Sequence, residues 1–177
     1  MAPLLSTSQI IKVFTTLIAS IFCVSAFSAM KDDNMALSNK WTEIINSGKS
    51  HTTNELMPLF LDLEPIKPEA MFGQWKGGKF DGGKPDVINW YGKRFVSREY
   101  VEPLLVTAAD GSVQVFDKLG SARLREMVFG DVVSTGLIYD NQPILDYFRK
   151  INDDLIIGYG ETKGDTPDFF FYLAREK

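Results

Sequence analysis

The rhythm of apolar and polar positions changes near residue 70. Before that point apolar residues recur at helical spacing. Leu37, Trp41, Ile44 and Ile45 form one stripe between Lys31 and Asn46, which predicts a short amphipathic helix. Thr52 and Glu55 stand at capping-box spacing before Leu56, Met57, Leu59, Phe60 and Leu63, so a second helix starts there. Pro58 holds that helix to little more than two turns or bends it. Pro65 and Pro68 end helical structure and lead into strands.

From Met71 onward, short segments rich in strand-forming residues are separated by Gly, Pro, Asp and Asn. They predict strands near 71–80, 87–96, 103–107, 112–117, 122–129, 132–139, 154–161 and 168–175. Asp110-Gly111 and Gly130-Asp131 supply hairpin turns. An antiparallel meander of this kind closes into a barrel wide enough for one small apolar ligand. Between 140 and 152 the alternation breaks: Asn141 can cap, Pro143 suits a first turn, and Ile144, Leu145 and Phe148 share a helical face. The expected fold is therefore mainly β, an antiparallel barrel or strongly curved sheet with short N-terminal helices and one short helix near 141–150 across its wall or mouth. The chain divides into an apolar leader (1–29), a helical lead-in (30–66) and the barrel (67–177).

Within the first strand, Met71, Gly73, Trp75 and Gly77 point to the same face. Glycines on both sides of a tryptophan clear room for the indole and for a backbone crossing nearby. This assigns Gly73, Trp75 and Gly77 a structural role.

Of the 177 residues, 45% are hydrophobic and 24% charged, and the formal net charge is −4. An acidic chain without a basic patch is a poor match for nucleic acid. Residues 13–29 form an unbroken run of apolar and small residues behind Lys12. This run resembles a secretory signal more than a span, being short and ending in small residues. Export to the secretory pathway or extracellular space is the expectation, with a cytoplasmic or membrane-anchored protein as the alternatives, and any membrane contact falls within residues 10–29. The single cysteine, Cys23, lies inside that run, and no Asn-x-Ser/Thr acceptor occurs. The composition leaves the oligomeric state open.

His51 is the only histidine, so the β region holds neither a conventional zinc site nor a Cys/His or Ser/His nucleophile pair. No metal or cofactor is expected. Gly158-Tyr159-Gly160 lacks the third glycine and the helix of a dinucleotide fingerprint and reads as a bend or bulge. Acids, bases and phenols remain. Lys93, Glu126, Tyr139 and Asp140 are the candidates for acid–base work inside an apolar barrel, where burial moves a carboxyl or phenol pKa upward. Trp90, Tyr139, Asp140, Asp146, Phe148 and Arg149 are the candidate ligand contacts, with access near 139–149. Strict alternation along 122–129 puts either Glu126 or an arginine inward unless the position is a solvated rim, and Asp146 and Arg149 can pair at i, i+3 on a helix.

Several blocks fall in a recognisable order: Leu59-Phe60-Leu61-Asp62-Leu63-Glu64-Pro65, Gly73-Gln74-Trp75-Lys76-Gly77, Trp90-Tyr91-Gly92-Lys93-Arg94-Phe95, Ala122-Arg123-Leu124-Arg125, Ile138 through Phe148, and Phe170-Phe171-Tyr172-Leu173-Ala174-Arg175. Together they resemble the GXWXG family, in which a GXWXG segment precedes a companion domain of unknown function, over about residues 55–177. The resemblance implies a lipocalin-like β-barrel without a known cofactor. It also suggests a contact: in lipocalin-type barrels an arginine of the last strand covers the G-x-W tryptophan, and Arg175 and Trp75 stand in corresponding places. The leading functional expectation is binding of an apolar or amphipathic small molecule such as a lipid, polyketide or terpenoid. A cofactor-free isomerase, cyclase or dehydratase acting on a hydrophobic biosynthetic intermediate is the second. A structural or protein-interaction domain is the third.

Overall fold

The computed structural model describes residues 31–164 and 167–177; the apolar leader lies outside them. The chain separates into two compact units, Met1–Asn39 and Lys40–Lys177. In the first, residues 31–39 are helical; in the second, residues 40–47 are helical and are called α1. Trp41 is buried there against Phe80, with ring centroids 5.8 Å apart. The second helix, α2 (Thr53–Leu61), carries the expected capping box: Glu55 N–H donates to Thr52 Oγ1 and Thr52 N–H to Glu55 Oε2. It buries Leu56 and Phe60.

Ten strands follow: β1 (Glu64–Pro65), β2 (Gly73–Lys79), β3 (Trp90–Phe95), β4 (Val101–Thr107), β5 (Val113–Val115), β6 (Ala122–Phe129), β7 (Val132–Tyr139), β8 (Ile144–Asn152), β9 (Leu155–Thr162) and β10 (Phe169–Arg175). Eight of them pair antiparallel in the order β8-β7-β6-β4-β3-β2-β10-β9, and β9 pairs back onto β8, closing the barrel. The short strands β5 and β1 attach to β4 and β8 from outside the ring. Closure satisfies each strand edge and leaves inward side chains alternating with outward ones.

One expected element is corrected. Residues 144–152 form strand β8, not a helix, and pair with both β7 and β9. In the strand, Asp146 and Phe148 point inward while Tyr147 and Arg149 point outward. The outward pair is largely covered: Arg149 is buried with its guanidinium over Phe60 of α2 at 5.8 Å, and Tyr147 is half-buried with its ring beside Phe129 at 4.4 Å. With both faces covered, the polar–apolar alternation that marks a strand is erased. The expected strand at 112–117 is β5, which lies off the barrel.

One end of the barrel is plugged. The chain enters through Ile66, whose N–H donates to Ser134 Oγ and whose carbonyl accepts from Thr135 Oγ1 at 2.6 Å. A 3-10 turn at Pro68–Met71 then lays Met71 into the core. Trp75 is fully buried, and its Nε1 donates to the Met71 carbonyl at 2.7 Å. Arg175 pairs in register with Trp75 and stacks its guanidinium 4.1 Å from the indole centroid, while donating to the carbonyls of Phe72 and Ala70. Gly73 has φ of +122°, and a Cβ there would stand 3.5 Å from Arg175 Nη1, so the glycine serves the backbone conformation at this seam.

Two stability outcomes are expected. Trp75→Ala should cost about 3–5 kcal/mol as the deletion of a buried aromatic, measured by denaturant unfolding; an unchanged midpoint would contradict the plug. Arg175→Ala should cost about 2 kcal/mol from lost cation–π and carbonyl contacts, whereas Lys177→Ala, 85% exposed at its side chain, should leave the midpoint in place.

A cavity with a polar floor

The end opposite the plug is where the site lies. The C-terminal ends of β2 and β7 and the N-terminal ends of β3, β8 and β10 come together there by antiparallel register. They enclose a cavity of about 340 Å³, walled by Ile88, Trp90, Leu104, Leu119, Ile144, Phe169 and Phe171, with Lys79 and Asp86 at its edge and Lys93 and Tyr139 on its inner wall. Lys79 and Asp86 are ion-paired with each other.

Lys93 is 3% exposed and Asp146 is 1% exposed. Lys93 Nζ donates to Tyr139 Oη at 2.9 Å and to the Pro103 carbonyl at 3.1 Å, and lies 2.9 Å from Asp146 Oδ2. Asp146 Oδ2 thus faces the ammonium as an ion pair, and Asp146 Oδ1 has no hydrogen-bond partner among the described residues. The ammonium also sits over the rings of Phe171 (5.0 Å) and Tyr139 (5.3 Å). Burial opposes the Lys93 charge, but Asp146 and Tyr139 outweigh it and hold the lysine pKa above its ordinary value. Burial raises Asp146 as well, with Lys93 pulling the other way. The pair is thus a compensated ion pair whose carboxylate is its weaker half. The Tyr139 phenol is pushed up to about 12, by burial first and by Asp146 second, against the opposing Lys93. It is therefore an O–H donor at neutral pH.

Glycines shape the walls more than sequence reading suggested. Gly77 makes room not for Trp75 but for Trp90: a Cβ there would lie 2.3 Å from the Trp90 Cη2. Trp90 then crosses Phe171 edge-on at 5.7 Å and 90° and donates from Nε1 to the Gly92 carbonyl. Gly158 and Gly160 are not a bend. They lie in regular pairing on β9, facing Phe171 and Phe169 of β10, and a Cβ at either would come within 2.2 or 2.6 Å of those rings. The Gly-x-Gly pair was the available signal for two wall aromatics that sequence reasoning did not single out.

The candidates divide clearly. Lys93, Trp90 and Tyr139 line the cavity, and Asp146 stands behind Lys93. Asp140 does not reach it: the carboxylate accepts from Ser121 Oγ and from Arg123, contacts that hold its pKa below the usual carboxylate range, Ser121 first. Glu126 is exposed on β6, across from Thr135, so no inward charge is buried there. Phe148 is a core residue between Phe95 and Phe171. Arg149 faces outward beneath α2 and does not pair with Asp146, because i, i+3 positions of a strand lie on opposite faces. Its Nη2 donates to the Phe129 carbonyl, Nε and Nη1 have no partner among the described residues, and burial lowers its pKa.

A larger groove of about 510 Å³ beside the plugged end is lined by Pro65, Ile66, Lys67, Ala70, Lys150, Asp153 and Arg175. Arg175 is already committed to the plug and Lys150 to Glu64. Among the described residues it has no buried polar group without a partner. The inner cavity, with apolar walls and convergent polar groups, is the better-formed site.

A closed eight-stranded barrel with an apolar cavity at one end is a lipocalin-like ligand-binding fold. Residues 58–111 match the GXWXG protein family, and residues 120–175 match a domain of unknown function, DUF4334. A crystal structure of a protein from Thermomonospora curvata is similar at 41% sequence identity and a TM-score of 0.73, over 80% of this chain and 99% of that one. A search of curated proteins finds no match. The chain belongs to the GXWXG family.

The Tyr139 environment has a pH signature. Because the folded pKa is raised from 10.0 to about 12, the buried phenol favours folding below pH 10 and that contribution is lost as pH climbs toward 12. Wild type should lose on the order of 2 kcal/mol more stability than Tyr139→Phe across this window. Parallel curves would show that the phenol is not buried as described.

Proposed function

We propose that the barrel binds an apolar or amphipathic small molecule in the cavity at its open end, with the ligand's polar group on the Lys93–Tyr139 floor. The observation that carries this reading is the combination of a cavity of about 340 Å³ with aromatic and aliphatic walls and one buried polar cluster. That volume falls within the range of small-molecule sites, and a few placed polar groups among apolar walls are how such sites orient their ligands.

A binding role is favoured over catalysis by the position of the carboxylates. An acid–base isomerase or lyase needs a base within reach of substrate. Asp146 stands behind Lys93 and is not on the cavity wall, while Asp86 is tied to Lys79 at the edge. Tyr139 offers an acid without a matching base. A purely structural role is disfavoured because a solidly packed barrel would hold no such volume.

Titration with the uncharged fluorophore N-phenyl-1-naphthylamine is expected to give saturable binding. Ile144→Trp, which fills the wall, should weaken it by about tenfold or more without lowering the melting temperature, and Asp140→Asn should leave it unchanged. Unsaturable binding, or full affinity in a folded Ile144→Trp protein, would overturn the proposal.

A further inference from the structure

Lys93 offers less to a ligand than its position suggests. Its Nζ is committed on three sides, to Tyr139 Oη, the Pro103 carbonyl and Asp146. Its charge is compensated by Asp146 at 2.9 Å, and both are almost wholly buried. The other lysine at the cavity, Lys79, is paired with Asp86. No free cation therefore faces the cavity among the residues that line it. Tyr139 differs: its oxygen accepts from Lys93, and among the described residues nothing accepts its own proton. The floor thus presents one donor, backed by a neutralised ion pair, and no acceptor, since Asp146 is not on the wall.

We infer that the site selects an apolar ligand bearing an uncharged carbonyl oxygen, a ketone, aldehyde or ester, and rejects the corresponding carboxylate. The inference rests on the cavity being the binding site. A carbonyl oxygen accepts the Tyr139 proton and brings no charge with it. A carboxylate would add a net negative charge to a cluster whose charges already cancel, in apolar surroundings where an uncompensated charge is costly. An alcohol would accept the same bond but leave its own proton without an acceptor, a further loss in a buried site. Lys93 and Asp146 act as positioning residues: the lysine fixes the phenol oxygen from behind, so that the phenol proton turns toward the cavity.

Displacement of N-phenyl-1-naphthylamine from the full chain at neutral pH, by 2-decanone and by decanoate, tests this. The ketone should displace the dye at a concentration about tenfold or more below that needed for decanoate. Tyr139→Phe, which removes the one donor, should raise the ketone concentration needed by about tenfold while the dye itself still binds. Asp146→Asn, which leaves Lys93 uncompensated, should reverse the order in favour of decanoate. Should Asp146→Asn fail to fold, Lys93→Met/Asp146→Leu, which removes both charges together, should retain the preference for the ketone. Equal or tighter displacement by decanoate in the wild type, or undiminished displacement by the ketone in Tyr139→Phe, would overturn the inference while leaving the binding site standing. Failure of the dye to bind at all would remove the site and the inference together.

Discussion

A lysine and an aspartate buried side by side inside an apolar barrel constrain everything near them. Each alone would be strongly destabilising, and their attraction offsets desolvation only while the geometry is held. Holding it requires β3, which carries Lys93, to lie at a fixed depth against β8, which carries Asp146, although these strands are not neighbours in the barrel. The pair therefore couples opposite walls. Tyr139 on β7 and the Pro103 carbonyl on β4 complete the shell around the ammonium. The aromatic rings of Phe171 and Tyr139 take up its remaining surface.

The plug at the other end makes this arrangement usable. Trp75, Met71 and Ile66 fill one half of the barrel, and Arg175 seals the seam between first and last long strands. Packing at that end sets the register of β2 with β3 and β10, which in turn places Gly77 opposite the Trp90 indole and Phe171 against Gly158. A barrel packed at one end and hollow at the other concentrates its stability away from its binding surface. The loop between β2 and β3, with Val87 98% exposed, belongs to the hollow end.

Much of this was legible from the residues. The Gly73–Gly77 strand, the buried Trp75 and the change from helical to strand patterning follow from local spacing, whereas the Arg175 contact came from the resemblance to lipocalin-type barrels. Lys93, Tyr139, Trp90 and Asp146 were recognisable as candidates because chemistry-bearing residues are scarce in the β region. Their convergence was not, since it depends on which strands face one another across a closed barrel. Strand β8 was hidden for a related reason: α2 and the rings of Phe129 and Tyr147 cover its outer face, so Arg149 reads as a helical neighbour of Asp146 although they lie on opposite sides of the sheet. Asp140 sits one residue beyond Tyr139, and that one step carries it to Ser121 and Arg123 on the outside.

The account turns on a single oxygen meeting a single phenol. A crystal structure of the protein grown with 2-decanone tests it most directly. The account predicts the ketone inside the barrel, its carbonyl oxygen within hydrogen-bond distance of Tyr139 Oη and its alkyl chain running between Trp90, Phe171 and Leu119. A ketone seated in the groove beside Lys150 and Asp153, or lying in the cavity with its carbonyl turned away from Tyr139 toward the mouth, would contradict it.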